Sequence, residues 1–360
     1  IDVFRKYKSD KCEVKFIVGA KNLVEKAEKL VTIMEETTLN ADFDNKEALY
    51  SVLLEIKLML DNKFKNSGHA FVARRISSYN SIHGKLTSYH SEYDFYLFIE
   101  GLLDNFEQNI TNIQDNLYKV VKLIFNRSRL LVNFVGDNEE YINYKKIILS
   151  YINKLPNDIN KQDGFNIVLK EDNYSEGFYF DSLVQYVGVG YNVGHYSGTH
   201  LVLRHILSLD YLWNNVRVRN GAYGSGATFS TFGDFTLWSY RDPNLTETLD
   251  IYYNIVEYIA NFDADNNELN KYIIGALNTL DVLMSPSAQA SYSLAQYLTE
   301  SPYEKYDVIV SEIKNTTVTD LKKLCSEFEN RRFSSFKCVL GAKEKVLENK
   351  ELFTQTIELK

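Results

Sequence analysis

The chain is predicted to fold as an α+β protein built of two related layer domains, and three observations carry that prediction. Only four prolines interrupt 360 residues, so helices can run at length. Helical patterns follow one another without intervening strands, which argues against a doubly wound parallel sheet. A strand ending in Gly before a helix occurs twice, at 131–136 and at 336–341. Each half therefore reads as strands, helices, a last strand and a terminal helix, a weak internal repeat. A hydrophobic fraction of 45% with 14% aromatics suits packed cores rather than disorder.

From the N-terminus, 13–19 alternates partially and reads as a short strand. Leu23, Ala27, Leu30 and Ile33 or Met34 give 22–37 a helical apolar face. Asn45 is placed as the N-cap of a long helix reaching about Asn66. Further helices are expected near 91–106 and 111–126, then a strand at 130–137 and a helix from about Glu139. The polar, turn-rich 156–162 marks the boundary. The expected domains are 1–155 and 164–360, joined by a linker at 156–163. In the second domain, strands occupy 176–190, a helix 197–215 and a strand pair 221–240. A helix then starts at Asp242-Pro-Asn, with Asn244 and Glu247 at capping-box spacing. Leu245, Leu249, Tyr252, Val256 and Ile259 are its buried stripe. Thr317 and Asp320 cap a later helix, and 336–341 is the final strand.

A net charge of −8 without a long basic run excludes nucleic acid as the main partner. Cys12, Cys325 and Cys338 are odd in number and match no CxxC spacing, so they read as reduced thiols in a reducing compartment, and a cytoplasmic location is expected. No apolar run approaches the roughly 18 residues of a membrane span, so no membrane partner is expected. The start at Ile1, with no initiator Met and no secretory signal pattern, leads to the expectation of a piece of a longer protein.

The histidines are His69, His83, His90, His195, His200 and His205, and none lies in HExxH or HxxEH. Steps of five rotate about 140° on a helix, so His195, His200 and His205 are expected not to converge, and no metal ligand is expected in the chain. No Gly-x-Ser-x-Gly elbow and no P-loop ending occur. The sequence Arg217-Val-Arg-Asn-Gly-Ala-Tyr-Gly-Ser-Gly is the most distinctive stretch. It is read either as a tight β-ladder shaped by glycines or, if extended, as a face carrying Arg217, Arg219, Gly221 and Tyr223. A guanidinium and a phenol there could hold a carbonyl or carboxylate oxygen, but they supply no nucleophile and no metal.

Long stretches resemble the presequence-protease branch of the pitrilysin/insulinase metallopeptidases. They include Asn66-Ser-Gly-His-Ala-Phe-Val-Ala-Arg-Arg-Ile-Ser-Ser-Tyr79, Leu209-Asp-Tyr-Leu-Trp-Asn-Asn-Val-Arg-Val-Arg-Asn-Gly-Ala-Tyr-Gly and Ser239-Tyr-Arg-Asp-Pro-Asn-Leu245. The resemblance runs from about residue 10 to 341. It implies an antiparallel-rich sheet covered by helices in each domain, and a clamshell half overall. Members have two halves; the inverse zinc motif and a distal Glu ligand lie in the first, and the second contributes an Arg and a Tyr six positions apart. Arg217 and Tyr223 match that spacing as catalytic residues, and Arg219 fits it less well. The resemblance thus implies the C-terminal half of a zinc endopeptidase that degrades unfolded peptides, with the N-terminal half as partner and a third domain lacking its first strands. Alone, this half is expected to be inactive. A naturally inactive homologue acting as a structural or peptide-binding subunit is the alternative.

Overall fold

The structure, a computed structural model, describes residues 1–157, 167–332 and 334–359. The first half opens with an antiparallel hairpin of β1 (Asp2–Arg5) and β2 (Cys12–Lys15). The strand expected at 13–19 thus ends at Lys15. The α-helices that follow are α1 (Ala27–Leu39), α2 (Lys46–Asn66), α3 (Gly68–Asn80), α4 (Ile82–Ser91), α5 (Tyr93–Asp104), α6 (Phe106–Ile124) and α7 (Asn138–Ile152). Asn45 caps α2 as expected, its Oδ1 accepting the Ala48 N–H at 3.0 Å. The pattern did not single out α3 and α4.

The first copy of the strand–Gly–helix repeat does not form a sheet strand. Segment 130–135 pairs with no strand among the described residues, and Leu130, Leu131, Val132 and Val135 stay exposed. Alternation reports a residue's readiness to be a strand, whereas pairing needs a neighbouring edge. The helix after it does form, with an Asp137–Glu140 capping box. The proposed linker lies outside the described residues from 158 onward.

The second half is organised around a six-stranded sheet in the order β5-β6-β4-β7-β3-β8. Its strands are β3 (Ser175–Phe180), β4 (Tyr186–Asn192), β5 (Gly224–Phe229), β6 (Asp234–Tyr240), β7 (Phe336–Ala342) and β8 (Gln355–Glu358). The β5–β6, β6–β4 and β4–β7 pairs are antiparallel, while β3 runs parallel to β7 and β8. The helices are α8 (Gly198–Ile206), α9 (Thr246–Tyr253), α10 (Ile255–Asn261), α11 (Asn266–Asn278), α12 (Pro286–Thr299), α13 (Lys305–Lys314), α14 (Val318–Lys323), α15 (Cys325–Arg332) and α16 (Lys343–Glu348). β7 leads into α16, so the second copy of the repeat is present. The fold is α+β as predicted, and the antiparallel-rich sheet covered by helices belongs to the second half; among the described residues the first half holds only the β1–β2 hairpin, not a sheet layer of its own. No helix among the described residues is long and apolar enough to cross a membrane.

Period-two alternation in β4 divides the two cores. Val187, Val189 and Tyr191 face a cluster holding Leu203, Ile206, Leu212, Tyr252 and Phe328. Tyr186 faces the other way, with Phe71, Val72 and Ile76 of α3. On that second face β4 presents Gly188 and Gly190, where a Cβ would come within 3.0 Å and 2.8 Å of the Ile76 side chain. The glycines let α3 lie directly on the sheet. The predicted stripe of Leu245, Leu249, Tyr252, Val256 and Ile259 is buried, although the helix is divided at Asn254 into α9 and α10. Thr317 and Asp320 form the expected capping box of α14.

A buried charge network locks α3 to the sheet. Arg75 grips the fully buried Glu176 of β3 through two hydrogen bonds, Nε to Oε2 at 2.6 Å and Nη2 to Oε1 at 2.9 Å. The Tyr79 and Tyr174 hydroxyls and the Gln355 amide donate to the same carboxylate. Arg75 Nη1 also reaches Asp94, which is held by Lys85. Burial pushes the Glu176 carboxyl upward, but the Arg75 guanidinium and the tyrosine hydroxyls outweigh it and hold the group below the usual carboxylate range.

Candidate substrate-clamp site

α8 begins a long run whose Leu201, Val202, Leu203, Ile206, Leu207, Leu212 and Val216 are all buried. After Ile206 the run continues in wider π-type turns, Leu207–Tyr211 and Trp213–Val218. Such turns are uncommon and concentrate at functional sites. Arg217 lies in the last of them, with its guanidinium over the Trp213 ring at 3.9 Å. Arg219 follows, still helical, and its Nη1 donates to Asn215 Oδ1 at 3.1 Å. This corrects the extended reading: Arg217 and Arg219 do not share a strand face with Tyr223, because buried apolar residues carry the helix through Val218.

The chain reverses at Gly221, whose φ of +80° is the left-handed conformation that ends many helices. Its N–H bonds to Arg217 O at 3.0 Å, and Ala222 N–H bonds to Val216 O at 3.2 Å. Tyr223 then joins the sheet edge through its N–H, shared by Tyr240 O at 3.1 Å and Arg241 O at 3.3 Å. Arg217 and Tyr223 therefore flank one tight turn. Tyr223 is 69% exposed and meets the Tyr240 ring edge-on at 5.8 Å between centroids. Among the described residues, neither the Arg217 guanidinium nor the Tyr223 hydroxyl has a hydrogen-bond or ion-pair partner. Two donors with unfilled valences beside one turn can take a carbonyl or carboxylate oxygen.

The turn is braced by the segment after β6. Asp242 is fully buried; its carboxylate accepts the Asn244 N–H at 3.0 Å and the Thr248 hydroxyl at 2.8 Å. The Asn244 amide donates to Asn220 O at 2.7 Å. The expected Asn244–Glu247 capping box is absent, and α9 starts at Thr246 without a side-chain cap. Asn244 is committed to the Arg217 turn instead. The Asp-Pro-Asn sequence signalled a turn, which could have pointed to Asp242 as its organiser. His69 is a further residue the pattern missed: its ring packs on Trp238 and Tyr240, and its buried Nδ1 has no partner among the described residues.

The histidine reading also needs correction. His195 precedes α8 and is not bound by helical spacing, and its ring lies 4.9 Å from that of His200. His205 packs elsewhere, against Gly275.

A family model described as the PreP C-terminal domain matches residues 176–341, and one described as the associated region of subfamily C of the M16 peptidases matches residues 3–102. Protein HypA of Clostridium perfringens is 34% identical over 93% of this chain and 34% of its own length. The chloroplastic/mitochondrial presequence protease 1 of Arabidopsis thaliana is 26% identical over 88% of this chain and 29% of its own. The chain thus spans about a third of the length of these curated relatives. Among solved structures, pitrilysin has a TM-score of 0.61 at 10% identity, covering 93% of this chain and 36% of its own. A protease from Helicobacter pylori has 0.58 at 15%, covering 88% and 77%. These two structures share the fold. With family models matched to both halves and the Arg217–Tyr223 turn inside the PreP C-terminal match, the chain belongs to the presequence-protease branch of the pitrilysin/insulinase metallopeptidases and corresponds to their C-terminal half.

Proposed function

We propose that this chain is the substrate-clamping half of a zinc endopeptidase that degrades unfolded peptides, with Arg217 and Tyr223 as its catalytic contribution. The observation that carries this reading is a partner-free guanidinium and phenol flanking one turn, inside the family match. The turn itself fits no metal. Its free polar groups are a guanidinium and a phenol, and a guanidinium has no lone pair to give. Zinc and the general base are assigned to the N-terminal half of the same protein, which would supply the activated water. The residues here donate hydrogen bonds to the scissile carbonyl as negative charge builds on its oxygen. Preorganised donors of that kind are worth about 3 kcal/mol of barrier each. Trp213 holds Arg217 in place, and the Gly221 reversal sets its distance to Tyr223. This half alone is proposed to hydrolyse no peptide.

The test is peptide hydrolysis by the full-length protein carrying Arg217→Ala or Tyr223→Phe. Each should lower kcat/KM by about one to three orders of magnitude while leaving bound zinc unchanged. Normal turnover in both would remove the role assigned to them. A full-length protein that hydrolyses nothing and has no HxxEH upstream would favour the alternative, a peptide-binding or structural subunit.

A further inference from the structure

We infer that His195, His200 and Glu327 form a site for a divalent first-row transition metal, of which zinc fits best, clipping the β4–α8 loop to α15. Two imidazoles and a carboxylate offer three ligand atoms that all lie within 4.8 Å of one another. His195 Nε2 stands 3.5 Å from Glu327 Oε1, and His200 Nε2 stands 3.3 Å from Glu327 Oε2. Ligand atoms about 2.1 Å from a tetrahedral zinc are about 3.4 Å apart, so each imidazole already stands at ligand spacing from one oxygen of the Glu327 carboxylate, His195 from Oε1 and His200 from Oε2. The imidazole–imidazole edge closes by turning the His195 ring, whose side chain is 55% exposed. Its exposed side leaves room for water as a remaining ligand.

The cluster is held from three directions. His200 is fully buried, with its ring edge-on to Phe229 at 5.2 Å between centroids. Glu327 is set by its neighbour Phe328, which is fully buried against Tyr191, Phe229 and Phe235. His195 follows Gly194, whose φ is +86°. The choice of partners around Ser197 points the same way. Ser197 occupies the N-cap of α8 but makes no capping bond. Its hydroxyl lies 2.7 Å from His200 Nδ1 instead, and Glu312 accepts the Gly198 N–H in its place. A metal-bound imidazole ordinarily donates its other N–H to such an acceptor, which fixes the tautomer and aims the free lone pair. With Nδ1–H given to Ser197, the Nε2 lone pair faces the Glu327 carboxylate, an arrangement that a bound cation stabilises. The donor set of two imidazoles and one carboxylate suits zinc rather than magnesium or calcium, which take oxygen shells.

In the other tautomer His200 Nε2–H donates to Glu327 and Ser197 donates to Nδ1, which needs no metal. Titration of this 360-residue chain, stripped with chelator, separates the two. Cobalt(II) alone should bind at one ion per chain with the visible absorption of a low-coordinate N/O site, and zinc should displace it. His195→Ala, a surface change, and Glu327→Gln should each raise the Kd at least about tenfold, with unchanged far-UV circular dichroism. Uptake below one ion per chain, or affinity unaltered in both variants, would overturn the site. The outcome is independent of peptide hydrolysis and of Arg217 and Tyr223.

Discussion

Arg217 and Arg219 are two positions apart, and the structure tells them apart. Arg219 is spent on Asn215 of its own helix, whereas Arg217 leans on an aromatic face with its donors open. We expect Arg219→Ala to change kcat/KM of the full-length protein less than about threefold, since a surface hydrogen bond of this kind contributes little beyond its own helix. A larger loss would shift the clamp to Arg219. Gly221 is the other decisive residue. Gly221→Ala should lower stability by about 1–2 kcal/mol, because a Cβ disfavours its left-handed backbone. The denaturant midpoint checks that cost, and a parallel fall in turnover would show that the turn sets the clamp. The Arg–Tyr spacing was legible in the sequence. The shape between them was not, since the same letters suited an extended strand until the buried stripe through Val216 carried the helix on.

At the scale of elements, β4 and α3 show what pattern reading can and cannot reach. The alternation of Tyr-Val-Gly-Val-Gly-Tyr marks a strand, yet it does not say that its glycines are a track for a helix far earlier in the chain. Gly190→Ala should cost about 1–3 kcal/mol by overpacking against Ile76 and the Phe235 carbonyl, read from the denaturant midpoint at constant m-value. A neutral result would mean that α3 can lift away from the sheet. Segment 130–135 is the converse case. Its pattern is that of a strand, and only the absence of a partner strand among the described residues keeps it from being one. Asn244 failed as a cap for a related reason: a side chain with two possible partners takes the one that tertiary structure brings to it.

For the molecule as a whole, the Arg75–Glu176 network ties helices of the first half to the sheet of the second. Arg75→Ala should destabilise by about 3–5 kcal/mol, since it leaves a buried carboxylate uncompensated. Glu176 also sets an acid limit. Its folded-state value lies below 4.5, so the unfolded chain binds the proton more readily as pH falls. Its contribution is whole above the ordinary carboxylate range and is lost as pH drops through the folded-state value. Thermal unfolding should therefore show a decline as pH falls below the ordinary carboxylate range that is shallower in Glu176→Gln; equal slopes would place the acid limit elsewhere. Composition, periodicity and motif spacing by themselves determined the α+β class, the buried stripes and the caps at Asn45 and Thr317, while the family came from the resemblance of the blocks around Arg217 and Asp242 to known members. Those are properties of neighbours in the chain. Tertiary structure alone decided that Arg217 ends a helix, that α3 rides on glycines, that Glu176 is gripped from three segments, and that His195 and His200 meet Glu327. Each of these depends on contacts between residues far apart in sequence, and local pattern carries no record of which distant side chain will arrive.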